Sequence, residues 1–168
     1  MTEAEQLFEQ VYRTYGPSLY RFCLLQMKNP VDAEDVLQEV FCKRLYRAPA
    51  FASPDHEQRW LFRVALNQCR DAWKRSSRSE LPLEAASAAV TPEELGLLDH
   101  VAALSEPQRT AIHLHYYEGY SIQEISKLLG LPAPTVGTRL ARGRERLRQM
   151  LKEEAEWTGK PIGRPLTS

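Results

Sequence analysis

Four arginines, Arg139, Arg142, Arg146 and Arg148, lie on one helical pattern just beyond a tight turn, and they are the side chains here best placed to do chemistry. A guanidinium on a helix in a DNA major groove can donate two parallel hydrogen bonds to a guanine edge, or the same fork to a phosphate. The rest of the chain offers no competing reaction centre. It contains no Gly-rich phosphate loop, no cluster with metal-ligand spacing and no nucleophile beside a base. His113 and His115 form an H-x-H pair, but residues two apart on a helix point to different faces. Neither an enzyme nor a metal or cofactor site is expected.

The arginines are positioned by a helix-turn-helix pattern. Ser121 and Glu124 have the S-x-x-E spacing of a capping box, in which hydroxyl and carboxylate satisfy each other's backbone donors at a helix start. Ile122, Ile125, Leu128 and Leu129 give that helix one apolar face, and Gly130 is suited to end it at positive φ. After Leu131 and Pro132, Pro134 fits the first turn of a second helix, whose inner stripe is Val136, Leu140 and Leu147. A solvated, arginine-rich helical hairpin would show the same pattern. The DNA reading therefore needs support from elsewhere in the chain.

Charge supplies some of it. Lys plus Arg equal Asp plus Glu at 22 each, so the chain has no overall attraction for nucleic acid. Its charges are segregated: basic residues concentrate in Arg59–Arg78 and Arg139–Lys152, while Glu80–Glu106 holds six carboxylates and no Lys or Arg. The three cysteines, Cys23, Cys42 and Cys69, are widely spaced among apolar residues and read as buried free thiols of a reducing cytoplasm. No apolar run approaches the roughly 20 residues needed to span a bilayer, and the start MTEAEQ is unlike a secretory signal, so a cytoplasmic protein without membrane insertion is expected.

Periodicity predicts an all-α fold of two small helical domains joined by a flexible linker, with no sheet. Leu7, Val11, Tyr15, Leu19 and Phe22 mark a first apolar stripe, with a bend expected near Gly16-Pro17. Asn29-Pro30 opens a second helix with an inner face of Ala33, Val36, Leu37, Val40, Phe41 and Leu45. A third spans about Arg59–Lys74, with Leu61, Val64, Ala65, Cys69 and Ala72 inward. Thr91-Pro92-Glu93-Glu94 and Ser105-Glu106-Pro107-Gln108 are further helix starts. The expected organisation is a first module over 1–78, an acidic linker over 79–98, a helix-turn-helix module over 99–153 and a poorly ordered tail over 154–168.

Four runs in order, Asp32–Phe41 (DAEDVLQEVF), Trp60–Asn67 (WLFRVALN), Leu104–Arg109 (LSEPQR) and the helix-turn-helix from Ser121 to Leu147, resemble the bacterial sigma-70 family, and within it the extracytoplasmic-function group that keeps only sigma regions 2 and 4. The resemblance covers about residues 5–152. It implies an initiation subunit with core RNA polymerase (β′ coiled coil and β flap), promoter DNA and an anti-sigma factor as partners. It places Asp35, Gln38 and Glu39 against the β′ coiled coil. For minus-ten DNA captured as single strand, it implies Asn67 at a base, Arg63 and Arg70 along the groove, Lys74, Arg75 and Arg78 on phosphates, and the loop residues Phe51 and His56 at a base pocket. Trp60 is assigned to packing; Trp73 is left between packing and stacking. For the minus-35 duplex it implies Ser121, Thr135, Gly137, Thr138, Arg139, Arg142 and Arg146, with Arg142 the leading reader of sequence. Gly137 departs from the family pattern, which commonly has a long basic residue there. The acidic linker is either a solvated tether or a mimic of nucleic acid inside the polymerase. The rival reading, a free-standing helix-turn-helix regulator, leaves the DAEDVLQEVF helix and the cationic third helix without a use.

Overall fold

The structure is a computed structural model that describes residues 2–75 and 92–158, the side chains of 92–95 and 157–158 excepted. All regular structure among the described residues is helical: α1 (Glu3–Met27), α2 (Pro30–Arg47), α3 (Pro54–Arg75), α4 (Pro92–Ala102), α5 (Glu106–Ile112), α6 (Ile122–Leu129) and α7 (Ala133–Thr158). The chain divides into two compact units between Leu95 and Gly96. Arg78, the tail beyond Thr158 and most of the acidic linker, including Glu80 and Glu84, lie outside the described residues. Residues 92–98, expected as the end of that linker, are helical in α4, and Leu98 is fully buried.

In the first unit, α1 starts at a capping box in which the Glu5 amide donates to the Thr2 hydroxyl and the Thr2 amide to the Glu5 carboxylate. The helix is not broken at the proline: Pro17 lies inside continuous α1. Much of the clash between a proline and its predecessor involves the predecessor's Cβ, which Gly16 lacks. From Leu19 to Met27 nearly every residue of α1 is buried. α2 and α3 lie against it, with Phe22 meeting Phe62 edge-on at 5.4 Å and Tyr12 meeting Phe41 at 4.9 Å. The half-buried Trp73 indole donates its N–H to the Gln26 backbone carbonyl at 2.9 Å, tying the end of α3 to α1.

Three inward assignments fail here. Leu7 is 50% exposed, while its neighbour Phe8 takes the inner position and meets Phe41 of α2 at 5.9 Å. Leu45 is 44% exposed because its neighbour Arg44 takes the inner position, paired with Glu57 of α3, and successive helical residues are turned about 100° apart. Cys42 is exposed for the same reason, beside the buried Phe41, whereas Cys23 and Cys69 are buried as expected.

The second unit buries Leu98, Val101, Leu104, Ile112, Leu114, Ile125, Leu128, Val136, Leu140 and Leu147. After α5 the chain widens into a π-helical turn, His113–Tyr117, which the sequence pattern did not signal. Its five-residue step carries the Glu118 amide to the His113 carbonyl at 3.2 Å and brings the Glu118 carboxylate to 3.2 Å from His113 Nε2, both side chains buried. Residues 154–158, expected in the tail, continue α7: the Glu154 carboxylate lies 2.6 Å from His100 Nε2 on α4.

The helix pair α5–α7 closes on Gly143. A Cβ there would come within 2.8 Å of Ile112 Cγ1, whereas one on Gly137 would meet nothing within 4 Å. Gly143→Ala is expected to destabilise the second unit by about 1–3 kcal/mol through overpacking. Gly137→Ala should stabilise it by about 0.5–1 kcal/mol through helix propensity. Amide hydrogen exchange of α5 and α7 in the full-length chain measures both, and the two changes should have opposite sign.

Candidate nucleic-acid interface and docking face

The helix-turn-helix forms as its local chemistry dictates. Ser121 and Glu124 exchange their two capping bonds, each at 3.1 Å, and Gly130 ends α6 at φ 67°. The Ser126 hydroxyl donates to the Leu131 carbonyl and fixes the turn. The Thr135 and Val136 amides then both donate to the Pro132 carbonyl, starting α7. Val136, Leu140, Gly143 and Leu147 face inward.

That orientation sorts the outer residues. Thr138, Arg142 and Arg146 are exposed, the two arginines one helical turn apart, while Thr135, Gly137 and Arg139 are half-buried. Arg144 is directed inward and donates to the Tyr116 hydroxyl at 3.2 Å, and Arg148 lies 3.6 Å from Glu145. The Thr138 hydroxyl donates to the Pro134 carbonyl, which leaves its lone pairs and methyl outward. Ser121 is exposed at the α6 N-terminus.

On α3, His56, Trp60, Arg63, Asn67, Arg70 and Lys74 follow each other at three- and four-residue steps and so share one face. Arg63, Asn67, Arg70 and Lys74 are exposed, and Arg75, also exposed, lies off that line. The loop between α2 and α3, residues 48–53, closes over the start of this face. Phe51 meets the rings of His56 and Trp60 edge-on, each at 5.5 Å, and the Arg44 guanidinium lies 5.0 Å from its centroid. Arg44 also donates twice to one Glu57 oxygen, at 2.8 and 3.2 Å. His56 Nδ1 accepts from the Ala52 amide, and the His56 amide donates to the Ser53 hydroxyl. The Tyr15 hydroxyl reaches the Pro54 carbonyl at 3.4 Å; burial raises its pKa, with the Glu57 and Asp55 carboxylates adding and Arg44 opposing. A cleft of about 560 Å³ runs between this loop and α1, lined by Val11, Tyr15, Phe51, Ser53 and Glu57 among others. Arg44, Glu57 and Tyr15 had no place in the sequence-derived site. Their partners are distant in the chain, and no local spacing announces them.

With these faces in view, the comparisons decide the family. Residues 11–79 match the family model for Sigma-70 region 2 and residues 95–147 that for Sigma-70, region 4. An RNA polymerase sigma-E factor of Streptomyces avermitilis is 30% identical over 152 residues, spanning 86% of this chain and 85% of the relative. ECF RNA polymerase sigma factor SigW of Bacillus subtilis is 28% identical over 171 residues, spanning 89% and 91%. The chain belongs to the sigma-70 family, in its extracytoplasmic-function (ECF) group. Among solved structures, CnrH in complex with the cytosolic domain of CnrY superposes with a TM-score of 0.67 at 26% identity, over 89% of this chain and 90% of that one. The sigma factor RpoE of Bartonella quintana, in complex with the anti-sigma factor NepR, gives 0.69 at 22%, over 86% and 96%, a likeness of fold.

Region 2 of this ECF protein presents one more surface. On α2, Asp35, Gln38 and Glu39 are exposed while Val36, Val40 and Phe41 hold the core. Val31, Asp35, Gln38, Cys42 and Leu45, all exposed, succeed each other at steps of four and three, the spacing of a seam that meets another helix. Val31 is 61% and Leu45 44% exposed, so the seam has apolar contacts to offer at both ends.

The thiols give a direct check of this face. In the native protein, iodoacetamide should modify Cys42 alone, with Cys23 and Cys69 reacting only after unfolding in urea; peptide mass spectrometry distinguishes the three sites.

Proposed function

We propose that this ECF sigma factor is a dissociable initiation subunit that binds core RNA polymerase and directs it to promoters. In this reading α7 recognises the minus-35 element as duplex, while α3 and the loop before it capture minus-ten DNA as single strand. The observation that carries the reading is the presence on one chain of two basic helix faces, on α3 and α7, and an exposed seam on α2. A free-standing helix-turn-helix regulator has use only for the α7 face.

The roles follow from chemistry. Arg142, exposed and one turn from Arg146, reads a base edge, and Arg146 and Arg139 hold phosphates and set register. Thr135, Gly137 and Thr138 form the surface nearest the groove wall, and Ser121, whose amide is already donated to Glu124, offers a phosphate its hydroxyl proton. On α3, Arg63 and Arg70 follow the single-stranded backbone, Lys74, Arg75 and Arg78 hold phosphates at the duplex boundary, and the Asn67 amide pairs with an extruded base. Opening needs no reaction: capture of unstacked bases stabilises the melted state relative to duplex. Asp35, Gln38 and Glu39, flanked by the apolar ends of the seam, dock on the β′ coiled coil of the polymerase. The modules 1–78 and 99–153 divide these tasks. Both solved relatives are in complex with a second protein, an anti-sigma factor in the Bartonella complex, and we assign this chain a protein inhibitor of that kind. No helix among the described residues is long and apolar enough to cross a membrane, and the site of action is wherever the polymerase works, the bacterial cytoplasm.

Purified protein with bacterial core polymerase should begin discrete transcripts on fragmented genomic DNA, with shared elements at two upstream positions and none with core alone. Absence of specific starts with an active core and folded protein would return the chain to the regulator reading. Arg142→Ala should lose about 1–3 kcal/mol of discrimination at one minus-35 position. Asn67→Ala should impair opening more than initial duplex binding, measured by permanganate reactivity and by filter retention; equal losses in both would refute the division of labour.

A further inference from the structure

We propose that Arg44 is the positioning residue of the α2–α3 loop, holding residues 48–53 in the one shape that admits minus-ten DNA without itself touching DNA. The proposal rests on the single-strand capture assigned to α3 above.

Three contacts converge on this side chain. Its Nε and one terminal nitrogen both donate to a Glu57 oxygen, tying the last turn of α2 to the first turn of α3 across the ends of the loop. The pair is shielded, with the two side chains 17% and 15% exposed, so water competes weakly for it. The same planar group lies 5.0 Å from the centroid of the Phe51 ring. Phe51 is the hub of the loop: its other contacts are the edge-on rings of His56 and Trp60, and both residues belong to the α3 face that carries Arg63 and Asn67. Arg44 therefore joins the frame of region 2 to the aromatic cluster at the head of the capture face.

A guanidinium suits this double task. Its flat, delocalised charge can lie on an aromatic ring while its edge donates to a carboxylate, and it stays charged at any physiological pH. Lysine would keep the charge but offer neither the fork nor the plane. The adjoining bonds are local and weak by comparison: Ala52 amide to His56 Nδ1, and His56 amide to the Ser53 hydroxyl. Without Arg44 they, the Phe51 ring contacts and the Tyr15 hydroxyl bond must fix the loop, and part of the binding energy of the captured strand is then consumed in ordering it.

The test uses full-length protein with core polymerase and compares Arg44→Met, Arg44→Lys and Glu57→Gln with the parent chain. Arg44→Met should lower formation of open complex by about tenfold, the effect of losing a shielded ion pair and a ring contact together. Initial binding to the closed duplex promoter should stay within about twofold, since α7 contacts dominate that step. Arg44→Lys should recover part of the loss and Glu57→Gln should fall between them. Hydrogen exchange should quicken at the Ala52 and His56 amides and leave the α1 core amides unchanged, a selectivity that a general loss of stability would not give. Two results overturn the assignment: parental opening in Arg44→Met, or opening and duplex binding falling together. Asn67→Ala run alongside separates the levels. If it impairs opening while Arg44→Met does not, Arg44 alone is misassigned; if neither impairs opening, the capture reading fails with it.

Discussion

Region 2 depends on the burial of the second half of α1. A surface helix buries one stripe, but from Leu19 to Met27 this helix is covered almost all round, including Gln26, whose backbone carbonyl receives the Trp73 indole N–H. Burying residues such as Leu19, Phe22, Leu24 and Met27 contributes about 1.5–3 kcal/mol each before the cost of ordering the chain. α2 and α3 each spend their single apolar stripe on this axle. Their outer faces, the seam on α2 and the cationic line on α3, are thereby fixed relative to each other, and only the loop between them is left to be positioned by polar contacts.

Region 4 is held differently. Its α5 and α6, with seven and eight residues, are too short to be stable as isolated helices. They persist because α7 gives both a wall to pack on, closest at Gly143, and because capping at Ser121 and Gly130 removes the cost of loose helix ends. The result is a recognition helix anchored along Val136, Leu140 and Leu147, with its outward arginines on a rigid element.

What could be read from residues alone was what local chemistry decides. Asn29-Pro30, Ser121/Glu124 and Gly130 each act through neighbours within four residues, and the helix ends they imply are where they should be. Thr2/Glu5 is an equally local signal that the sequence reading passed over. Periodicity fared less well at the edges of stripes. Leu45 and Arg44 are adjacent, and hydrophobicity favours the leucine for the interior, yet a carboxylate thirteen residues away draws the arginine inward and turns the leucine to water. The same kind of long-range partner, His100, holds Glu154 in helix, whereas the π-helical turn at His113 joins it to Glu118, only five residues on. The exposed seam on α2 was half legible, since Asp35, Gln38 and Glu39 came from the family resemblance while Cys42 was assigned inward by its apolar company.

The balanced charge of the chain gives the last constraint. With 22 basic and 22 acidic side chains there is no net field to draw the free protein to DNA, and attraction is confined to two short basic faces. Each face alone neutralises few phosphates, so each alone binds weakly and loses affinity steeply with salt. Two weak contacts become one strong contact only when both engage the same duplex at the right separation, where the second acts at a high effective concentration. A large partner that seats both modules can set that separation. Neutral overall charge and divided basic faces are therefore the properties expected of a subunit that reads DNA after it has joined its polymerase, and they disfavour one that patrols DNA by itself.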